Sequence, residues 1–383
     1  MSGTIERYGK GWRYRAHVGL DPATGKRRWA TKGAFPTEKA ARTALHKVLC
    51  EADDGLVVPR SKLTVGGYLA EWMDGAEADL KPTTAASYRR AVGKLTSKLG
   101  HVKVQELTPL VIERTYRQLL ADGLAPKTVR NTHTVLRRAL ADAERLGLVI
   151  RNAAASARPP SVPHHEQATW TAEELTVFLG SVVDHRLFAS FVLSATTGLR
   201  RGELLGLRWR DLDLDAGGIS VVHTITTVNG RAVDSSTKTN KSRRRIALDM
   251  ATIEALHRHR RLQERERQNA GGAWKETGLV FTREDGTAVH PDRYTHWFAD
   301  LVEKSGVPSI RLHDLRHTHA TMALAAGVHP KIVSERLGHA TVGITLDLYS
   351  HVSMSLDAAA AEQVASLIDV PRPSAEPAEA GKA

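Results

Sequence analysis

The 383-residue sequence has a single cysteine, Cys50, so neither an intramolecular disulfide framework nor a cysteine-based zinc cluster can be built from it. Aromatic residues make up only 5 % of the chain. No apolar run approaches the roughly 18 residues of a membrane span, and the opening MSGTIERYGKGWRYRAHVG has no apolar stretch of the kind a secretory signal needs. Acidic residues are in deficit: 42 Asp and Glu face 54 Lys and Arg, a formal charge of +12. Hydrophobic residues at 42 % and charged residues at 25 % are an ordinary globular balance, which excludes wholesale disorder. These features describe a multidomain cytoplasmic protein without membrane contact, whose partner is a polyanion.

The charge is unevenly placed. Residues 1–50 carry 11 Lys and Arg against 3 acids, a net +8, with Trp12, Tyr14 and Trp29 interleaved. Residues 61–150 carry a net +5, and the last stretch, 351–383, is acidic. A basic, aromatic module suits a phosphate backbone, because each neutralised phosphate releases condensed counterions. Solubility alone does not require +8 over 50 residues.

Within residues 3–35, Arg13, Arg15 and His17 alternate with Tyr14, Ala16 and Val18, the period of a strand. A turn over 21–26 and a return strand over 27–31 follow, then a helix from about Thr37 to Asp53. Residues 62–147 read as four helices. Tyr88, Val92, Leu95 and Leu99 fall on one helical face, and Thr108-Pro109 is an N-cap followed by proline in the first turn. Pro159, Pro160 and Pro163 mark a linker. Thr171-x-x-Glu174 is a capping box that opens a further domain, with helices to Trp209, strands from about Gly218 to Leu248 and helices again to about Ile368. The Pro/Ala/Glu-rich tail from Val370 reads as disordered.

Three weaker patterns fail. Gly25-Lys26 is no phosphate-binding loop, since Leu20 stands where its first glycine should be and Arg27 where Ser or Thr should be. Asp211, Asp213 and Asp215 fit a solvated turn better than a metal site. His313 and His317 have a spacing that zinc ligands can adopt, but Arg316 in the same turn disfavours a cation.

Four segments of the last domain form a more specific pattern: Thr197-Gly198-Leu199-Arg200-Arg201-Gly202-Glu203; Lys238-Thr239-Asn240-Lys241 leading to Arg243-Arg244-Arg245; Leu312-His313-Asp314-Leu315-Arg316-His317-Thr318; and Leu337-Gly338-His339 followed by Tyr349. Their order and content resemble the tyrosine recombinase (phage integrase) family over about residues 171–352. The resemblance implies a multidomain, mainly α fold with small β-sheets. Residues 1–58 would be an arm-type DNA-binding domain, a three-stranded sheet plus helix. Residues 62–150 would be a helical, SAM-like core-binding domain that closes on DNA as a clamp with the catalytic part. Residues 151–170 would be a linker, 171–369 a mixed α+β catalytic domain and 370–383 a disordered tail.

Carried over by motif, the catalytic set is Arg200, Lys238, His313, Arg316, His339 and Tyr349. The chemistry explains the residue types. Two arginines can hold the non-bridging oxygens of a phosphodiester and stabilise the charge that builds in the transition state. Tyr349 is the nucleophile, and with a reference pKa near 10 it needs a base or a cationic setting; His313 is the base or positioner. His339 adds a donor and Lys238 is the general acid for the 5′-oxygen. No metal, nucleotide or other cofactor is implied, because the phosphotyrosyl bond conserves the energy of the cut strand.

The resemblance therefore implies an integrase of a phage or integrative mobile element. It would act as a homotetramer on double-stranded DNA with core and arm attachment sites, assisted by an accessory DNA-bending protein or excision factor, in the nucleoid. Arg13, Arg15, Arg27 and Arg28 are the candidate arm contacts. The helix from Ser355 would dock either on its own domain or on a neighbouring protomer. Type IB topoisomerase-like nicking and rejoining, or a DNA-binding regulator with a decayed site, are the alternatives. Glu203 reads as an orienter of arginine, and Arg243 to Arg245 as phosphate contacts or solvated charge.

Overall fold

The computed structural model describes residues 2–20, 25, 27–53, 61–163, 168–228, 230–236, 243–339 and 341–349. Lys238, the helix proposed from Ser355 and the tail from Val370 lie outside the described residues, as does most of the turn over 21–26. The chain divides into two compact units, residues 1–164 and 165–383.

The first unit begins with an antiparallel sheet of β1 (Gly3–Tyr8), β2 (Gly11–Leu20) and β3 (Arg27–Phe35), in that order. Its register sets Ile5 opposite Tyr14 and Ala16 opposite Ala30. Helix α1 (Glu38–Asp53) packs on the face carrying Tyr14 and Ala16, which are buried with Leu45. Side chains alternate across a strand, so Arg13, Arg15 and His17 project from the opposite face.

Helices α2 (Val65–Glu77), α3 (Pro82–Leu99), α4 (Pro109–Ala121) and α5 (Pro126–Arg145) follow. Three of them start with proline, which lacks the N–H that a first turn leaves unpaired anyway. The Thr64 hydroxyl accepts from Gly67 N and the Thr108 hydroxyl from Val111 N, capping α2 and α4. On the predicted face of α3, Leu95 and Leu99 are fully buried while Tyr88 and Val92 line the edge of the core. Within this core the Tyr68 hydroxyl donates to the Ala139 carbonyl at 2.5 Å and Trp72 Nε1 to Asp142 at 2.9 Å. The segment read as linker contributes to it: Asn152 caps a short α6 (Ala153–Ser156), and Ala153, Ala154 and Ala157 are buried among the helices. Alanine carries too little hydrophobic signal for this to be read from composition.

The second unit opens with α7 (Ala172–Ser181), and the expected capping box is present, Thr171 N donating to Glu174 and Glu174 N to the Thr171 hydroxyl. Then come α8 (Phe188–Thr197), α9 (Arg201–Leu205), β4 (Leu212–Asp213), β5 (Gly218–Val221), the hairpin β6 (His223–Val228) and β7 (Arg231–Ser236), and β8 (Arg244–Ala247). β4, β5 and β8 form one antiparallel sheet and β6–β7 another. The remaining helices are α10 (Met250–Ala270), α11 (Pro291–Ser305), α12 (Leu312–Ala325), α13 (Pro330–Leu337) and α14 (Gly343–Tyr349). The core is aromatic at its centre, where Phe178, Phe191, Tyr294 and Phe298 stack edge to face or offset. Among the described residues, no helix is long and apolar enough to cross a membrane.

Candidate active site

The site grows from the turn between α8 and α9. Gly198 ends α8 in the left-handed conformation, φ 63°, where only glycine sits without strain. A Cβ there would also run into Leu337 Cδ2 and lie 2.9 Å from His319 Cδ2, so the turn presses directly on α13 and α12. Two residues later Arg200 precedes α9. Its Nη1 donates to Glu203 Oε1 and its Nη2 to the Gly338 carbonyl, both at 2.9 Å, while its backbone N donates to Glu203 Oε2 at 3.0 Å.

Arg316 comes from α12 and is only 4 % exposed. Nη1 donates to the Gly198 carbonyl and Nη2 to the Leu337 carbonyl, each at 2.7 Å. The planar fork of a guanidinium suits two acceptors at once, and here it ties the α8–α9 turn to the end of α13. Burial, and next the charge of Arg200, push the Arg316 pKa down to about 9. An arginine stays protonated in proteins even so, so the result is a buried cation hydrogen-bonded to two carbonyls.

Glu203 is 5 % exposed and sits between Arg200 and Arg244. Burial works to raise its pKa, but the hydrogen bonds and charge of Arg244, with the charge of Arg200, outweigh burial and hold the carboxyl below its usual range. The reading of Arg243 to Arg245 as solvated charge is therefore corrected at its middle member: the Arg244 side chain is 7 % exposed, whereas Arg243 and Arg245 face solvent. Strand alternation was the available signal, since Arg244 shares its parity with the buried Ile246.

Four histidines lie close to these charges. His313, exposed at the start of α12, meets His317 one turn on, with ring centroids 5.0 Å apart and planes at 86°. Partial burial, then the Arg316 charge, lowers the His313 pKa. Burial, then the neighbouring His313, pushes His317 down to about 4. His339 follows Gly338, and its Nδ1 lies 2.8 Å from the Thr345 hydroxyl of α14; burial, then Arg316 and Arg200, pushes it down to about 4. His319 donates Nδ1–H to the Ala195 carbonyl at 2.9 Å, and burial pushes it down to about 4 as well. Burial and the neighbouring cations thus favour the neutral form of these imidazoles. Among the described residues, no group of three or more His, Cys, Asp or Glu could hold a metal ion.

Arg200, His313, Arg316 and His339, far apart in sequence, are therefore gathered within electrostatic reach of one another. Tyr349 closes α14, the helix whose Thr345 meets His339; its side chain and all of Lys238 lie outside the described residues. In the first unit, Arg13 lies opposite Glu6, its Nε donating to that carboxylate at 2.5 Å, and its guanidinium is 4.1 Å from the Tyr8 ring centroid. Arg15 stacks on Trp29 at 4.5 Å, and His17 meets the same ring at 5.4 Å. Arg27 shares the parity of Trp29, whereas Arg28 shares that of Ala30, on the face toward α1. The four arm candidates thus do not form one surface.

Residues 173–355 match the model of the phage integrase family, and residues 64–120 that of the phage integrase N-terminal SAM-like domain. A tyrosine recombinase XerC-like protein of Caldanaerobacter subterraneus subsp. tengcongensis is 29 % identical over 337 residues, which cover 82 % of this chain and 86 % of that protein. The Tn1549 transposon integrase in complex with a circular intermediate DNA matches with a TM-score of 0.68 at 22 % identity, over 79 % of this chain and 99 % of that one. A lambda integrase tetramer bound to a Holliday junction matches with a TM-score of 0.56 at 17 % identity, over 90 % and 94 %. The fold is that of the integrases. The chain belongs to the phage integrase, or tyrosine recombinase, family of site-specific DNA recombinases.

Proposed function

We propose that the protein integrates or excises a mobile element by cutting and rejoining DNA through a covalent 3′-phosphotyrosyl intermediate. The observation that carries this reading is the pair Arg200 and Arg316, whose Nη2 groups donate to the consecutive carbonyls of Gly338 and Leu337. Two guanidiniums held side by side by backbone acceptors are positioned for the two non-bridging oxygens of one phosphodiester. His339, neutral and next in the chain, adds a hydrogen-bonding group.

In the proposed step the Tyr349 oxygen attacks phosphorus and the bond to the 5′-oxygen breaks. The phenolic proton passes to His313 or through it to solvent, and Lys238 protonates the departing 5′-oxygen. Attack by a 5′-hydroxyl from another duplex reverses the step and releases Tyr349. No cofactor enters this balance. Residues 62–150 would bind the core site and residues 1–58 an arm site, with Arg13, Arg15 and Arg27 on the sheet face opposite α1. The likeness to a lambda integrase tetramer bound to a Holliday junction supports a homotetramer on DNA, working in the cytoplasm at the nucleoid.

A duplex nicked near the cleavage site tests this. The wild-type chain should form a covalent 3′ adduct in EDTA, and Tyr349→Phe should form none; an adduct persisting in that variant refutes the assignment.

A further inference from the structure

Arg200 and Arg316 are not the only guanidiniums at the end of α13. Arg244 Nε donates to the Arg336 carbonyl at 2.5 Å, Arg316 Nη2 to that of Leu337 at 2.7 Å and Arg200 Nη2 to that of Gly338 at 2.9 Å. Three successive carbonyls thus each receive one arginine, from β8, α12 and the α8–α9 turn. The carbonyl end of a helix favours cations, which lets three of them converge there.

Arg244 also faces Glu203. Its Nη2 donates to Oε2 at 2.9 Å and its Nη1 to Oε1 at 3.2 Å. Oε1 accepts from Arg200 Nη1 and Oε2 from Arg200 N. One carboxylate is therefore shared by two guanidiniums. The trio carries a net +1, whereas Arg200 and Glu203 alone would carry none. In a partly buried pocket that difference is only weakly screened.

We propose that Arg244 is a positioning residue for strand cleavage. By saturating Glu203 it prevents that carboxylate from neutralising Arg200, and by holding the Arg336 carbonyl it fixes the helix end that aims Arg200 and Arg316. Arg244 itself does not touch the DNA. This rests on the reading of Arg200 as a ligand of the scissile phosphate.

The test compares single-turnover cleavage by the full chain on a nicked duplex, carrying a site that the wild type cleaves, with the same duplex bearing a neutral methylphosphonate at the scissile position. Arg244→Ala should bind both duplexes as the wild type does. It should cleave the phosphate about 10²-fold more slowly, the scale of one oxyanion-type contact. On the methylphosphonate, which is neutral and carries one negative charge fewer in the transition state, most of that defect should vanish, as it should for Arg200→Ala. Arg244→Lys, which restores charge without the fork, should fall between. An equal defect on both substrates, or a loss of DNA binding in step with cleavage, overturns the proposal, because a merely structural role is blind to the charge of the phosphate. If Arg244→Ala does not melt cooperatively, Arg244→Gln carries the same comparison. If Arg200→Ala shows no phosphate-specific defect, the assignment of Arg200 fails; if it does and Arg244→Ala does not, only the present inference fails.

Discussion

Replacing Arg316 by lysine keeps the charge and removes the fork. In the structure that fork satisfies two backbone carbonyls, Gly198 and Leu337, from a side chain that is 4 % exposed. A single ammonium, one atom shorter in reach and without the fork, cannot reproduce both bonds, so one buried carbonyl loses its donor at a cost of about 1–3 kcal/mol. For a unit of this size, about 2 kcal/mol lowers Tm by roughly 4–8 °C. Cleavage should fall further than stability does. A fixed donor aimed at a developing oxyanion contributes about 2.7–4 kcal/mol, or 10²–10³ in rate. DNA binding should change little, since the formal charge is the same. Thermal melting, a filter-binding isotherm and adduct formation on a nicked duplex separate the three quantities. A normal cleavage rate with a lowered Tm would make Arg316 a purely structural brace; an unchanged Tm would show that the two carbonyls do not depend on it.

Gly198→Ala should destabilise the second unit by about 2–5 kcal/mol, since it combines a left-handed alanine with overpacking against Leu337 and His319; a urea midpoint equal to wild type would contradict the tight turn. Thr171→Ala should cost about 1 kcal/mol through loss of the α7 cap, seen as a lower midpoint with an unchanged denaturant slope. His317, His319 and His339, each pushed down to about 4 by burial first, refuse protons that the unfolded chain accepts near pH 6.5. Their contribution to stability is complete above about pH 6.5 and is lost as pH falls toward 4. Glu203 and Asp314, also held low, add to the loss only at the acidic end. Melting temperatures that stay flat from pH 6.5 to 5 would show that the histidines are not desolvated as described.

What the sequence disclosed follows physical range. Thr108 and Thr171 cap helices through bonds to residues three positions on, so their roles are local and legible. The same holds for Leu95 and Leu99, whose spacing marks one face. The convergence of Arg200, His313, Arg316 and His339 is a long-range fact that no spacing dictates; there the motif resemblance named residues whose meeting the fold then had to provide. Arg244 fell between these cases. Its partner Glu203 is 41 positions away, and a run of three arginines reads as surface unless strand alternation separates the middle one. The packing of Ala153, Ala154 and Ala157 was hidden because small residues carry little periodic signal.

Two arginines near the start of α12 show how the pocket keeps its charge available. Arg311, largely exposed, gives two side-chain bonds to Asp314, at 2.9 and 2.7 Å, and its backbone N donates to the same carboxylate. A carboxylate gripped this way cancels the cation, so Arg311 can lock the first turn of the helix but has little field to offer an anion. Arg316, five residues on and buried, donates to carbonyls instead. Carbonyl dipoles satisfy its N–H groups without neutralising it, and the charge of Glu203 offsets only part of its desolvation. Arg200 lies between these extremes, bonded to one carbonyl and to a carboxylate that Arg244 already holds. On the proposed reading the scissile phosphate is the anion that completes the set, and the unmet charge of the free pocket is what draws it into line with the nucleophile.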